Sequence, residues 1–126
     1  PKMLKAFEDA VLIQSEVVKA MKPGISAEEP YFMALKMAEE MGYKDNFMGY
    51  KEDKVKFLGH GIGLELDEWP VLAKGFKMPI VPGMTFAMEP KFVFPEGAIG
   101  IENSFVMTEK GPENMSTIPD VITYVK

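Results

Sequence analysis

The only histidine of this chain, His60, lies among glycines in the segment 57–68, where its type and setting suit metal or acid–base chemistry. Gly59, Gly61 and Gly63 have no Cβ, so backbone or a ligand can approach the imidazole closely. Because an unperturbed histidine has a pKa of about 6.5, the neutral ring is well populated at pH 7. By itself the segment fits a metal ligand or proton carrier and, equally well, a turn histidine beside flexible glycines.

Two glutamates lie on either side of a predicted β-hairpin. Glu89 precedes and Glu102 follows the segment Pro95-Glu96-Gly97, whose residues favour a tight type I turn with glycine in the left-handed position. Apolar runs on both sides of this turn predict two antiparallel strands, over residues 84–94 and 98–108.

The register of this hairpin decides how close the two acids come to each other. If Phe94 pairs with Ala98, Glu89 lies opposite Asn103, and a bulge of one residue brings Glu89 and Glu102 face to face. Opposed residues on antiparallel strands have Cβ atoms about 5 Å apart, and like charges there are destabilising. Such a pair needs a compensating cation, unless both glutamates lie on a solvent face, which the alternation of the strands also allows.

His60, Glu89 and Glu102 together form a donor set that suits Mn²⁺, Co²⁺, Zn²⁺ or Fe²⁺, because one imidazole and two carboxylates are hard, oxygen-rich ligands. Three protein ligands can hold one metal with an open position. Two metals roughly 3.5–4 Å apart need further bridging acids. We therefore expect the three side chains to converge on one site.

Two helices and a β-rich second part must position these residues. Apolar periodicity predicts helices over about 2–21 and 27–41. Short apolar runs separated by glycine and proline predict that residues 55–125 are β-rich, with strands near 55–60, 84–94, 98–108 and 120–125. Three prolines within residues 69–83 predict that this stretch is mostly irregular.

Composition narrows the range of functions. At 126 residues the chain has the length of one domain, and its net charge of −5 arises from 19 acidic and 14 basic residues, every one of the latter lysine. An acidic chain without arginine is a poor candidate for nucleic-acid binding. The absence of cysteine excludes disulfides and thiolate metal sites. No stretch approaches the roughly 18 apolar residues of a membrane span, so we expect a soluble cytoplasmic protein.

Three motifs in a fixed order carry a family resemblance: Gly-His-Gly-Ile-Gly-Leu-Glu at 59–65, Met-Glu-Pro at 88–90 and Ile-Glu-Asn-Ser-Phe-Val-Met-Thr at 101–108. The chain resembles the C-terminal half of the pita-bread metallopeptidases, which include Xaa-Pro dipeptidases (prolidases), aminopeptidases P and methionine aminopeptidases. The short spacing between the two glutamates resembles the Xaa-Pro branch. The resemblance implies an α+β pita-bread fold, with helices on the outer face of a curved antiparallel sheet, and residues 1–126 as the C-terminal part of a single catalytic domain.

The resemblance also implies a function: metal-dependent hydrolysis of an N-terminal peptide bond, with proline as the second residue of the peptide, by a homodimer. His60, Glu89 and Glu102 match metal ligands of the family, and His60 and Glu89 are the implied catalytic residues, Glu89 as a proton shuttle. Two divalent ions of Mn, Co or Zn are implied. Two further aspartate ligands are expected upstream of residue 1, so this segment alone is expected to be inactive.

Three positions depart from the family pattern. Asp67 replaces a common histidine and is expected to contact substrate in a different way. Gly100 replaces an arginine that meets a substrate carboxylate in many prolidases, and Asn103 replaces a common acid. Two other functions stay open: a pita-bread module that binds peptide or protein without catalysis, and a metal-free hydrolase of creatinase type. Family aspartates upstream in the parent gene would favour the peptidase.

Overall fold

The computed structural model describes residues 1–126, which form two helices and nine strands. The helices are α1 (Lys2–Ala20) and α2 (Glu28–Glu40). The strands are β1 (Gly49–Tyr50), β2 (Asp53–Lys54), β3 (Phe57–Gly61), β4 (Glu68–Ala73), β5 (Thr85–Met88), β6 (Lys91–Phe94), β7 (Gly97–Gly100), β8 (Asn103–Thr108) and β9 (Gly111–Asn114). Neither helix combines the length and the apolar character that crossing a membrane requires.

The two helices cover the sheet with one face each. Ala6, Ala10, Ile13 and Val17 recur three or four residues apart along α1 and are all buried, because that spacing places them on one side of a helix. Helix α2 packs against β3 and β4, whereas α1 packs against α2, β6, β7 and β9. Both helices begin and end within one residue of the bounds predicted from periodicity.

The main sheet has five antiparallel strands in the order β4-β3-β5-β8-β9. Strand β3, which contains His60, is therefore flanked by β4 and β5. Strands β6 and β7 form a separate two-stranded hairpin, and β1 pairs with β2 between α2 and β3. The large side chains of Phe86, Phe92, Met88 and Leu58 are fully buried beneath the helices, so the site-bearing strands share one core with them.

One strand of the β-rich part was not predicted, and one predicted strand is absent. Residues 74–83 are irregular, as predicted for most of 69–83, but strand β4 occupies the start of that stretch. Pro70 is tolerated in β4 because β4 is an edge strand, whose outer side needs no N–H donor. The strand predicted at 120–125 is absent, and Val121, Tyr124 and Val125 are exposed. Alternating apolar residues form a strand only where the edge of a sheet is free to pair with them. Here the edge at β8 is already paired with β9.

The central hairpin forms, but its predicted register is wrong by one residue. Phe94 pairs with Gly97 rather than with Ala98, because the connecting loop has two residues, not three. The same register relates Met88 of β5 to Asn103 of β8, so the two pairs of strands share one register although they belong to separate sheets. Residues 89–90 and 101–102, which connect the two pairs of strands, are not regular strand. The two glutamates lie in these connections.

Candidate metal centre

His60 lies in the middle of β3, and the glycines beside it allow the neighbouring strands to come close. A Cβ on Gly59 would collide with the backbone of Ala87 in β5, and one on Gly61 would collide with the backbone of Trp69 in β4. Any larger residue at these two positions would push the strands apart. The glycines therefore serve close packing around His60, which pairs across the ladder with Ala87.

Glu89 and Glu102 lie opposite each other without a bulge. Extending the register of Met88 and Asn103 by one residue pairs the two glutamates directly. Backbone hydrogen bonds hold this junction: Glu89 N donates to Leu58 O at 2.9 Å, and Ile101 N donates to Pro90 O at 3.2 Å. The acids are thus placed by the strand ladder itself.

The three residues converge on one point. The Nε2 atom of His60 lies 3.4 Å from Glu89 Oε2 and 4.0 Å from Glu102 Oε1. One ligand atom from each of the three residues lies within 4.8 Å of the others. The histidine is buried, the Glu89 side chain is 21% exposed and that of Glu102 is 56% exposed, so the centre opens to solvent on the Glu102 side.

The orientation of the imidazole leaves Nε2 as an acceptor. Its Nδ1 lies 2.8 Å from Gly61 O, and because a carbonyl oxygen only accepts, Nδ1 carries the proton of the neutral ring. The lone pair of Nε2 then faces the carboxylates of Glu89 and Glu102, neither of which forms an ion pair with a lysine. Three acceptors facing one another without a donor, with the histidine held through its other nitrogen, fit a divalent cation.

The electrostatics of Glu89 agree with this fit. Burial raises the pKa of the Glu89 carboxyl, and the nearby charge of Glu102 raises it further, against weaker opposing effects of His60 and Lys91. Two carboxylates this close disfavour ionisation of both. A cation bound between the two carboxylates would offset this repulsion.

Behind the glutamates lies a buried polar network that the sequence reasoning missed. Gln14 Nε2 on α1 donates to Met88 O at 3.1 Å, and Asn103 Nδ2 donates to Gln14 Oε1 at 2.7 Å. The Asn103 amide also donates to both carboxylate oxygens of Asp120 at 3.0 Å. Met88 directly precedes Glu89, and Asn103 directly follows Glu102, so the network supports both acids. A glutamine on the buried face of α1 was the available signal.

Asp67 lies at the rim of the centre, in the connection between β3 and β4. Its Oδ1 atom is 3.2 Å from His60 Nδ1, and its side chain is 72% exposed. It is therefore near the histidine but on the side away from the two glutamates. On the other side, an open groove of about 320 Å³ begins at the acids and runs along β6 and β7; it is lined by Glu89, Lys91, Ala98, Ile99, Gly100, Ile101 and Glu102.

Comparison with known protein families agrees with this geometry. Residues 1–109 match Metallopeptidase family M24. The chain belongs to this family. An M24 relative, the Xaa-Pro dipeptidase of Pyrococcus furiosus, is 32% identical over 116 residues, which are 91% of this chain and 31% of that protein. The Xaa-Pro dipeptidase of Lactobacillus delbrueckii subsp. lactis is 34% identical over 111 residues, or 87% of this chain and 28% of that protein. The chain thus spans about a third of the length of these relatives.

Solved M24 structures confirm the α+β pita-bread fold. The X-Pro aminopeptidase of Thermotoga maritima superposes with a TM-score of 0.88 at 27% identity, over 98% of this chain and 34% of that one. The prolidase of Pyrococcus furiosus superposes with a TM-score of 0.84 at 31% identity, over 94% of this chain and 34% of that one. The resemblance read from three short motifs therefore extends over nearly the whole chain.

Proposed function

We propose that this chain carries the C-terminal part of an Xaa-Pro peptidase centre, which hydrolyses the N-terminal peptide bond of a peptide with proline second. The observation that carries the proposal is the convergence of His60, Glu89 and Glu102, whose ligand atoms lie within 4.8 Å of one another and face inward without a donor. Membership of a metallopeptidase family supports the reaction class. Relatives described as Xaa-Pro dipeptidase and X-Pro aminopeptidase support the substrate class.

The three residues would hold a divalent cation, with Mn²⁺, Co²⁺ or Zn²⁺ the candidates for this mixed nitrogen and oxygen donor set. When bound, such a cation supplies Lewis-acid chemistry, polarising a carbonyl and making water more acidic. A second ion needs bridging acids beyond these three ligands, and we place them on two aspartates upstream in the complete polypeptide. The homodimer and the cytoplasmic location stay predictions from the family resemblance.

Glu89 is the residue we assign to proton transfer. Its carboxyl is mostly buried and faces His60, so it can accept a proton from the water that attacks the scissile carbonyl and return that proton to the leaving proline nitrogen. His60 is held by Gly61 O and keeps Nε2 directed at the centre. To Asp67, which is exposed at the rim, we assign the binding of a positively charged group of the substrate.

The test uses the complete polypeptide, stripped of metal and then supplied with Mn²⁺, Co²⁺ or Zn²⁺, and assayed on Xaa-Pro dipeptides and longer peptides. We expect metal-dependent hydrolysis, a loss of about 10²–10⁴ in kcat in Glu89→Gln, and no change in the control Glu113→Gln, an exposed acid on β9. Full activity in the presence of chelator would favour the metal-free hydrolase. Peptide binding without turnover would favour the binding module.

A further inference from the structure

The junction that carries the two glutamates, formed by residues 89–90 and 101–102, lacks one backbone donor. It lies outside the regular strands. Proline has no N–H, so Pro90 accepts a hydrogen bond from Ile101 N at 3.2 Å and donates none in return. Since opposed carboxylates repel each other, a junction held in this way opens unless another part of the chain fixes it.

Gln14 ties the two strands together immediately before this junction. Met88 and Asn103 are the last pair of the β5–β8 ladder. Gln14 donates to the carbonyl oxygen of Met88 at 3.1 Å and accepts from the side-chain amide of Asn103 at 2.7 Å. Because successive side chains of a strand point to opposite faces, Asn103 faces α1 while Glu102 faces the centre. One side chain of α1 thus joins both strands from behind.

The tail, residues 115–126, completes the network. Both carboxylate oxygens of Asp120 accept from the Asn103 amide at 3.0 Å. The tail is also held beside β8, where Ser104 N donates to Ser116 Oγ at 3.0 Å. An amide nitrogen carries two hydrogens, so one can point to α1 and the other to the tail. These two acceptors together fix the rotation of the Asn103 side chain.

Stability alone does not explain why these groups are polar. Gln14 is 5% exposed and Asn103 is 3% exposed, and both lie beside an apolar core. Burying a polar group costs free energy, and replacing both partners of a buried hydrogen bond by apolar groups of the same shape is nearly neutral or stabilising. What directional hydrogen bonds add to apolar packing is a fixed geometry.

We propose that Gln14 and Asp120 are positioning residues, which fix through Asn103 the separation of the two glutamates and thereby set the affinity of the centre for a divalent cation. The inference rests on the proposed function, because it takes the two acids to be metal ligands. Neither residue contacts the centre, so the effect passes through the backbone of the junction. Groups that orient metal ligands typically change metal affinity about tenfold to hundredfold.

The first measurement is metal binding by the complete polypeptide, stripped of metal, with Mn²⁺ in calorimetry and Co²⁺ in visible absorption. We expect Gln14→Met and Asp120→Ala to bind Mn²⁺ about tenfold to hundredfold more weakly and to shift the Co²⁺ bands. Asp120 is half-buried at the surface, so its loss leaves the fold intact. Asp120→Asn, whose carbonyl oxygen still accepts, should keep most of the affinity. The control Ile13→Val, a buried change on α1 outside the network, should keep all of it.

The second measurement is amide hydrogen exchange in the metal-free protein. The N–H groups of Glu89 and Ile101, which donate within the junction, should exchange faster in Gln14→Met and in Asp120→Ala. The N–H of Met107, which donates to Met84 O at the far end of β8, should exchange at the wild-type rate.

The outcomes separate this inference from the proposed function. Unchanged exchange at the junction, unchanged Mn²⁺ affinity, or an equal loss of affinity in Ile13→Val would each overturn the positioning role alone. Mn²⁺ binding by the wild type without hydrolysis of any peptide would contradict the peptidase function alone, since the affinities of the variants would still decide the inference. A wild type that binds no metal would overturn both.

Discussion

The buried amide of Asn103 offers the sharpest test of how the glutamates are supported. Its Nδ2 donates to Gln14 Oε1 at 2.7 Å and to both carboxylate oxygens of Asp120 at 3.0 Å, and the residue is 3% exposed. Asn103→Asp keeps the shape but replaces the donor by an acceptor that faces a second carboxylate. We expect this single exchange to destabilise the protein at neutral pH and much less in acid.

Two routes give the size of the effect. An ionised aspartate loses a neutral hydrogen bond of about 1 kcal/mol and one to a charged group of about 1.5–3 kcal/mol, or about 2.5–4 kcal/mol together. If the carboxyl instead takes up a proton and donates it to Asp120, holding a group with an ordinary pKa of about 3.9 protonated at pH 7 costs about 4 kcal/mol. Both routes predict a loss of about 3–4 kcal/mol at pH 7.

The pH dependence follows from the sign of the pKa change. The introduced carboxyl has a folded pKa raised above its unfolded value, so its unfavourable effect is small below about pH 4 and grows as pH rises towards the folded pKa. Urea unfolding of Asn103→Asp and wild type should therefore differ by about 3–4 kcal/mol at pH 7 and by about 1 kcal/mol at pH 4. A difference that is the same at both pH values would refute the argument.

Asp120→Asn provides the matched control. It removes the charge but leaves an amide that can donate to an aspartate at position 103. Combined with Asn103→Asp it should restore a donor–acceptor pair, so the double variant should be more stable at pH 7 than the sum of the two single losses implies, by at least about 1 kcal/mol. Strict additivity would show that the two side chains do not interact.

Two further predictions concern the acids of the centre. In the metal-free protein, Glu102→Gln should move the raised pKa of Glu89 towards its ordinary value of 4.5, because the charge of Glu102 is one of the two causes that raise it, beside burial. NMR titration of the Glu89 side-chain carboxyl measures this pKa. An unchanged pKa would contradict the close pairing of the two acids. Since a raised folded pKa makes folding less favourable as pH rises from 4.5 towards the folded pKa, the same variant should also lose less stability across that interval. Asp67→Asn should raise KM about twofold to fivefold for substrates with a positively charged group near the rim, because an exposed ion pair contributes up to about 1 kcal/mol. Unchanged kinetics in both Asp67→Asn and Asp67→His would refute a role in substrate binding.

Much of the fold could be predicted because its signals are local. The apolar period of α1 and α2 depends on neighbours three and four residues away, and the turn chemistry of 95–97 depends on adjacent residues. The chemistry of His60, Glu89 and Glu102 was also recognisable from residue type, since few side chains can hold a divalent metal.

The remaining features depended on packing between distant parts of the chain. Whether the loop has two or three residues shifts the register by one, and only the two-residue loop places Glu89 opposite Glu102 without a bulge. Strand β4 formed because an edge position tolerates Pro70, a property of sheet order rather than of the segment itself.

Packing between distant parts of the chain also explains why the residues around the two glutamates could not be predicted. Gln14 contacts Asn103 across 89 positions of sequence, and the groove-facing position of Lys91 follows from its pairing with Gly100. No pattern within a short window relates such residues, because their proximity arises only when α1, the hairpin and the tail pack around one core. Residue types therefore indicated the chemistry, while the register and the packing established which groups meet.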